Sequence, residues 1–193
     1  NRRRLIELRR RLNEGERLGP VDRLWLIVMA EQYRVKRGEL MALLKRVDIV
    51  PPSIALAQAA EESGWGTSRF VREGNAIFGE WTFAQSGSLI PTRRDQNKTH
   101  RIKAFDSLLD SVRAYGLNLN THHAYRKFRT TRLELRQQGA PMDGIKLIDA
   151  LRSYSERGMK YVKTLRSIIA FNKFRHFDDA RLSDSALSGS PLI

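Results

Sequence analysis

The chain has 193 residues, 41% of them hydrophobic, so it can bury the core of one ordinary domain with a helical segment attached. Thirty-five Lys and Arg against 21 Asp and Glu give a formal charge of +14, which suits a polyanionic partner such as nucleic acid, acidic lipid or an anionic cell wall. The absence of cysteine excludes disulfides and thiolate metal sites, and no apolar run is long enough to span a bilayer.

The chain opens on Asn1-Arg2-Arg3-Arg4 without Met, which reads as a processed or truncated sequence from which a signal segment is missing. Leu5, Leu8 and Leu12 form one stripe and predict a basic helix from about Arg3 to Asn13. Gly15 and Gly19-Pro20 break it. A second helix is expected from about Val21 to Tyr33, with Asp22 in its first turn, and a third over Glu39 to Arg46. Pro51-Pro52-Ser53 reads as a stop followed by a Ser53 N-cap, and an Ala-rich helix from Ile54 to about Ser63 follows.

From Arg69 to Gly79 a loop with one helical turn is expected. Trp81-Thr82-Phe83 and His100 to Phe105 suit two short strands, joined by a hairpin or flap. Asp106 is the expected cap of a helix over Ser107 to Asn120. The next helix, from about Ala124, carries a basic stripe of Arg126, Lys127, Arg129, Arg132 and Arg136, read as a solvated face or a track for an anionic glycan. Ile145 to Arg152 and Glu156 to Phe174 complete the helices, and Ser183 to Ile193 is a tail without pattern. The expected class is α+β, mostly α, with a small β-hairpin lobe.

The chemistry concentrates in Ala59-Ala60-Glu61-Glu62-Ser63-Gly64-Trp65-Gly66-Thr67-Ser68. A carboxylic acid at the edge of an apolar helix can have a raised pKa and act as a general acid. Glycine ends the helix and lets backbone approach a ligand. Tryptophan offers a flat face to a sugar ring. Glu61 and Glu62 lie about 100° apart on a helix, so only one can face the cleft. Glu62 shares a stripe with Ala55, Gln58 and Ala59, and Glu61 with Ile54, Ala57 and Gln58, so periodicity does not choose between them.

The segment from Pro52 to Gly66 resembles the catalytic segment of bacterial glucosaminidases, peptidoglycan hydrolases with a lysozyme-like fold. Asn75-Ala76-Ile77-Phe78-Gly79 is similar to their Asn-x-Phe-Gly segment, and Arg101 to Leu108 to the strand that leads into the next helix. Tyr125 matches their cleft tyrosine, and Tyr161-Val162-Lys163-Thr164-Leu165 resembles their last core helix. Gly79-Glu80-Trp81-Thr82 and Leu119-Asn120-Thr121-His122 look most like the Bax-type members.

The resemblance implies a lysozyme-like domain over 48–178, a helical extension over 1–47 and a tail over 179–193. It places the general acid on Glu62 and a supporting role on Tyr125, near the reacting centre or the N-acetyl group. Trp65 and Phe78 would shape the cleft, with Asn75, Trp81 and Gln58 as further substrate contacts. A glycosidase with two carboxylates needs its second one roughly 5 to 9.5 Å from the first. Glu80 and Asp95 are the candidates, unless the substrate's N-acetyl group makes a second carboxylate unnecessary.

The implied activity is hydrolysis of the β-1,4 bond after N-acetylglucosamine. A lytic transglycosylase or muramidase using the same acid is the first alternative, and a non-enzymatic basic binding module the second. No cofactor or metal is implied, and His122-His123 are adjacent, which is the wrong spacing for two ligands on one helix face. The expected partner is the peptidoglycan strand and not nucleic acid, the expected location the periplasm or cell envelope, and the expected state a monomer.

Overall fold

The structure is a computed structural model that describes residues 1–82, 84, 86–90 and 101–180. It is mostly helical with one small sheet, the class expected from the sequence. In chain order the helices are α1 (Arg2–Asn13), α2 (Pro20–Gln32), α3 (Leu40–Arg46), α4 (Pro52–Ser63) and α5 (Arg69–Gly74), followed after the sheet by α6 (Leu108–Thr121), α7 (Arg126–Gln137), α8 (Gly144–Leu147) and α9 (Met159–Phe171). Strands β1 (Trp81–Thr82), β2 (Ser88–Leu89) and β3 (Arg101–Lys103) pair antiparallel in the order β1-β3-β2. Trp81 and Leu89 both face Ile102 in register. The expected two-strand hairpin therefore has a third strand, β2, inside what reads as a connection. Gly87, at φ +63°, makes the turn that enters it.

Helix α4 is the axis of the molecule and packs against α8, α9 and a 3₁₀ turn at Phe174–Phe177. It begins one residue earlier than expected. Pro52 occupies the first helical position, where a missing N–H costs nothing, and Pro51 stands at the N-cap. Ser53 is therefore not the cap but a fully buried first-turn residue. Its N–H donates to Asp178 Oδ1 and its hydroxyl to Asp178 Oδ2, both at 2.8 Å, and the Gly144 N–H adds a third bond to Oδ2 at 2.9 Å. Asp178 thus ties the end of the fold to the start of α4. Likewise Ser107, not Asp106, caps α6, accepting from the Asp110 N–H at 3.1 Å. The expected helix over Ile145 to Arg152 is split into α8 and a 3₁₀ turn at Ile148–Leu151, and Gly158, at φ +55°, delays α9 to Met159.

Two clusters form the main core. Ile54, Phe78, Tyr115, Leu119, Tyr125 and Phe128 gather on one side of α4, and Ala57, Ile148, Tyr161, Val162, Leu165 and Ile169 on the other. Leu5, Met29, Leu43, Leu44 and Val47 form a separate cluster within α1–α3. A buried arginine joins this cluster to the rest. Arg132 on α7 is fully buried and donates to the carbonyls of Lys45, Arg46 and Ile49 at 3.2, 3.4 and 2.7 Å, and to Asn120 Oδ1 at 2.7 Å. Carbonyls at a helix C-terminus lack partners and carry partial negative charge, so a guanidinium is a suitable cap. Asp48 adds a nearly buried counter-charge, bonded to Arg136 at 2.9 Å and paired with Arg2 at 3.3 Å. Burial pulls the Arg132 guanidinium down to about 10, with Asp48 opposing, so it stays charged at neutral pH. The basic stripe on α7 is therefore not one solvated face or glycan track, because Arg129 and Arg132 point inward.

Candidate active site

Helix α4 ends at Gly64, and the next two residues continue in the same left-handed region: φ is +56° at Gly64, +58° at Trp65 and +79° at Gly66. Glycine takes this conformation freely, whereas for a bulky residue it costs about 1–2 kcal/mol. The turn is held by the Trp65 N–H on the Ala60 carbonyl at 2.8 Å and by the Gly66 N–H on Ser63 Oγ at 2.7 Å. This places Trp65 on the surface, 61% exposed.

The two glutamates of α4 part company. Glu61 turns outward and pairs with Arg157 at 2.5 Å, and the Arg157 guanidinium also lies 5.3 Å from the centre of the Tyr161 ring. Glu62 turns inward, and its Oε1 accepts from the Tyr161 hydroxyl at 2.7 Å. Gly79 faces the other oxygen, and a Cβ there would lie 3.8 Å from Glu62 Oε2. The ambiguity between the two residues is thus resolved by a partner on α9 and by one just before it.

Behind Glu62 lies a one-way chain of hydrogen bonds. Tyr115 donates to Gln58 Oε1 at 2.7 Å, Gln58 Nε2 donates to the Tyr161 oxygen at 2.9 Å, and Tyr161 donates to Glu62. An amide Nε2 can only donate, which commits the Tyr161 proton to Glu62 Oε1. Burial raises the Glu62 pKa, the Tyr161 bond pulls it partly back, Glu61 raises it and Arg157 lowers it. With Oε1 already accepting, a proton on this carboxyl resides on Oε2, the oxygen beside Gly79.

An aromatic floor supports the chain. Phe78 stacks on Tyr115 at 3.8 Å, and Tyr154 stacks parallel to Tyr161 at 5.8 Å while its hydroxyl donates to the Phe78 carbonyl at 3.2 Å. Tyr125, from the turn before α7, packs 6.0 Å from Tyr154. Its hydroxyl is pushed up to about 12 by burial and by the charges of Glu62 and Glu80. Tyr125 therefore lies within the electrostatic reach of both carboxylates. Glu80, at the entry to β1, is raised by burial and lowered by Lys103, and its Oε1 is buried without a hydrogen-bond partner.

The remaining expected contacts fall in different layers. Gln58 is fully buried and serves Glu62 from beneath, out of reach of a sugar, and Phe78 is nearly as deep. Asn75 ends α5 in the left-handed region, and its Nδ2 donates to the Phe105 carbonyl at 3.0 Å, clasping the Asn75–Gly79 segment to the chain that follows β3. Trp81 lies in β1 opposite Ile102, and Asp95 falls outside the described residues. Tyr115, Tyr154 and Tyr161 did not emerge as site residues from the sequence. Tyr161 had a usable signal, since Tyr161, Val162, Leu165 and Ile169 form the buried stripe of α9. Among the described residues no group of three or more His, Asp and Glu side chains could hold a metal ion.

Residues 38–177 match the family model described as mannosyl-glycoprotein endo-beta-N-acetylglucosaminidase. Protein bax of Escherichia coli (strain K12) is 36% identical over 148 residues, covering 74% of this chain and 52% of bax, so the chain spans about half the length of that relative. The solved catalytic domain of the autolysin Auto from Listeria monocytogenes aligns with a TM-score of 0.48 and 15% identity, over 89% of this chain and 96% of that one. On the extent of the family match and the identity to bax, the chain belongs to the glucosaminidase family.

Proposed function

We propose that the chain hydrolyses the β-1,4 bond after N-acetylglucosamine in peptidoglycan, with Glu62 as the general acid. The observation that carries this reading is the state of Glu62: burial raises its pKa, and the donor fixed on Oε1 leaves Oε2 to carry the proton. A glycosidic oxygen beside Gly79 would take that proton as the bond to the leaving sugar breaks. Trp65, exposed on its left-handed turn, is the stacking surface for a sugar ring. Tyr125, whose hydroxyl feels the charges of both Glu62 and Glu80, contacts the reacting sugar. The lysozyme-like architecture expected from the sequence belongs to this same reading.

Glu80 is the partner that activates water. Its unbonded, buried Oε1 lacks the hydrogen bond that a purely structural carboxylate would have, and its raised pKa makes it a stronger base once ionised. The substrate being a wall polymer, the site of action is the cell envelope. No described helix is long and apolar enough to cross a membrane.

The test is turnover of purified peptidoglycan by the wild type, Glu62→Gln and Glu80→Gln, with products identified by mass spectrometry. A reducing N-acetylglucosamine end supports the reading. An anhydro-muramic end would make the chain a lytic transglycosylase using the same acid. Full activity in Glu80→Gln would transfer water activation to the substrate's N-acetyl oxygen, and full activity in Glu62→Gln would end the glycosidase reading.

A further inference from the structure

The corner between α6 and α7 carries positive charge that no described carboxylate answers. His122 closes α6, and its Nδ1 accepts from the Ala124 N–H at 3.3 Å. Its ring lies 4.2 Å from that of His123 and 5.8 Å from that of Tyr125. Beneath it, the Arg129 guanidinium donates to the carbonyls of Leu119 and His122 at 2.9 and 2.8 Å. From the N-terminal helices, Arg46 donates to the carbonyls of Tyr33 and Arg34 at 2.7 and 3.0 Å and so fixes Arg34, itself at φ +54°.

These groups feel one another. His122 is lowered by burial and then by His123, Arg129 and Arg34, and Arg129 is lowered to about 10 by burial, Arg46 and Arg126. The side chains of Arg34, His122, His123 and Arg126 are exposed, and among the described residues none of them pairs with Asp or Glu. Several arginines elsewhere are matched to carboxylates, among them Arg11 to Asp22, Arg69 to Glu73 and Arg175 to Asp143. The arginines of this corner form a self-repelling cluster of like charge, drawn from the turn after α2 (Arg34), α3 (Arg46) and α7 (Arg126 and Arg129), beside Tyr125, whose hydroxyl feels the charges of Glu62 and Glu80.

We propose that this patch is an anion-binding extension of the cleft that grips carboxylates on the substrate strand. The ligand chemistry is that of a glycan bearing peptide stems or free lactyl ethers, and the inference rests on the peptidoglycan reading above. Arginine forks suit carboxylates, and a cationic rim raises the encounter rate of an anionic chain. The N-terminal helices thereby contribute Arg34 to specificity.

The test compares wild type with Arg34→Ala/Arg126→Ala on three substrates. Intact peptidoglycan strands carry stem carboxylates, strands stripped by an amidase expose only freed lactyl carboxylates, and chitooligosaccharide has neither. The variant should lose roughly tenfold more kcat/KM on carboxylate-bearing strands than on chitooligosaccharide, and the wild-type preference should shrink at high salt. A loss confined to intact strands identifies the stems, one confined to stripped strands the lactyl carboxylate, and one shared by both a grip that takes either carboxylate. Equal change on all three substrates, or none, overturns the patch. Cosedimentation of both proteins, each carrying Glu62→Gln, with intact and stripped strands gives a readout independent of turnover. If the wild type cuts none of the substrates, the glycosidase reading fails, while a charge-dependent difference in sedimentation still upholds the patch and its absence still overturns it.

Discussion

Removing one oxygen atom, in Tyr161→Phe, tests the logic of the site. The ring keeps its stack on Tyr154 and its contact with Arg157, so packing is preserved. Two hydrogen bonds go. Gln58 Nε2, fully buried, loses its acceptor, and Glu62 Oε1 loses its donor. A buried donor left unsatisfied costs about 1–3 kcal/mol, and taking about 2 kcal/mol, a domain of this size should melt roughly 4–8 °C lower at neutral pH. The Tyr161 bond lowers the Glu62 pKa, so its loss lets the pKa climb further. A general acid works while it holds its proton, so wild-type activity falls as pH rises through the Glu62 pKa, and in the variant that fall comes at higher pH. The destabilisation also grows with pH, because a charged carboxylate misses its donor more than a neutral one does. Loosening the acid should lower the maximal rate by about tenfold to a hundredfold. The assay is a pH profile of peptidoglycan turnover alongside thermal melts. An alkaline limb that stays in place, or moves to lower pH, would refute the assignment of Tyr161 as the donor that fixes Glu62.

Glu62→Gln should lose about a hundredfold to ten-thousandfold in turnover, yet melt higher than wild type at neutral pH. Its folded pKa lies above the unfolded one, so the wild type loses stability as pH rises from the ordinary carboxylate range through the folded value, and the amide escapes that loss. Melts repeated at falling pH should show the gain fading; a variant that is less stable at neutral pH would contradict the burial of this carboxyl. Trp65→Gly should raise KM several-fold on oligosaccharides while leaving Tm unchanged or slightly higher, because it removes a stacking surface and also a strained backbone residue. In Gly144→Ala the new Cβ would lie 2.1 Å from Ser53 Oγ, which breaks the Asp178 clasp or moves α8, at a cost of about 1–3 kcal/mol by denaturant titration. Arg132→Ala should cost about 3–5 kcal/mol by the same titration, since it strips partners from the half-buried carbonyls that end α3 and from buried Asn120.

What the sequence discloses is what is decided nearby. The end of α4 is legible because Gly64 and Gly66 act on their own backbone, and β1 and β3 because short apolar runs flank turn residues, whereas β2 lies inside what reads as a connection. The choice between Glu61 and Glu62 is decided by Arg157 and Tyr161, nearly a hundred positions along the chain, so no local periodicity reveals it. Ser53 has the composition of a cap, but Asp178, 125 residues later, claims both its N–H and its hydroxyl. Arg132 is indistinguishable in sequence from its solvated neighbours, because the carbonyls that draw it inward belong to the end of α3 and carry no side-chain signature. Gln58 reads as a contact on the acid's stripe, and it is on that stripe, but one helical turn deeper, where it acts through Tyr161.

The same long-range wiring makes α1–α3 more than an appendage. Arg132 bonds carbonyls at the end of α3 and Asn120 on α6, while α7, which carries it, starts immediately after Tyr125. Arg129, one turn before Arg132 on α7, bonds the carbonyls of Leu119 and His122 at the end of α6. The position of Tyr125 is therefore set from both sides by guanidinium groups capping helix ends, and one of those ends belongs to the N-terminal helices. Burying a cation is costly unless every bond it makes is held, so the end of α3 and the Tyr125 corner are fixed relative to each other as one unit. A chain shortened to begin after α3 would strip Arg132 of the Lys45 and Arg46 carbonyls and Asp48 of Arg2, leaving the guanidinium open to solvent on that side while it keeps Ile49 and Asn120. Such a chain should lose stability and the Tyr125 geometry together, rather than keep an intact site on a trimmed fold.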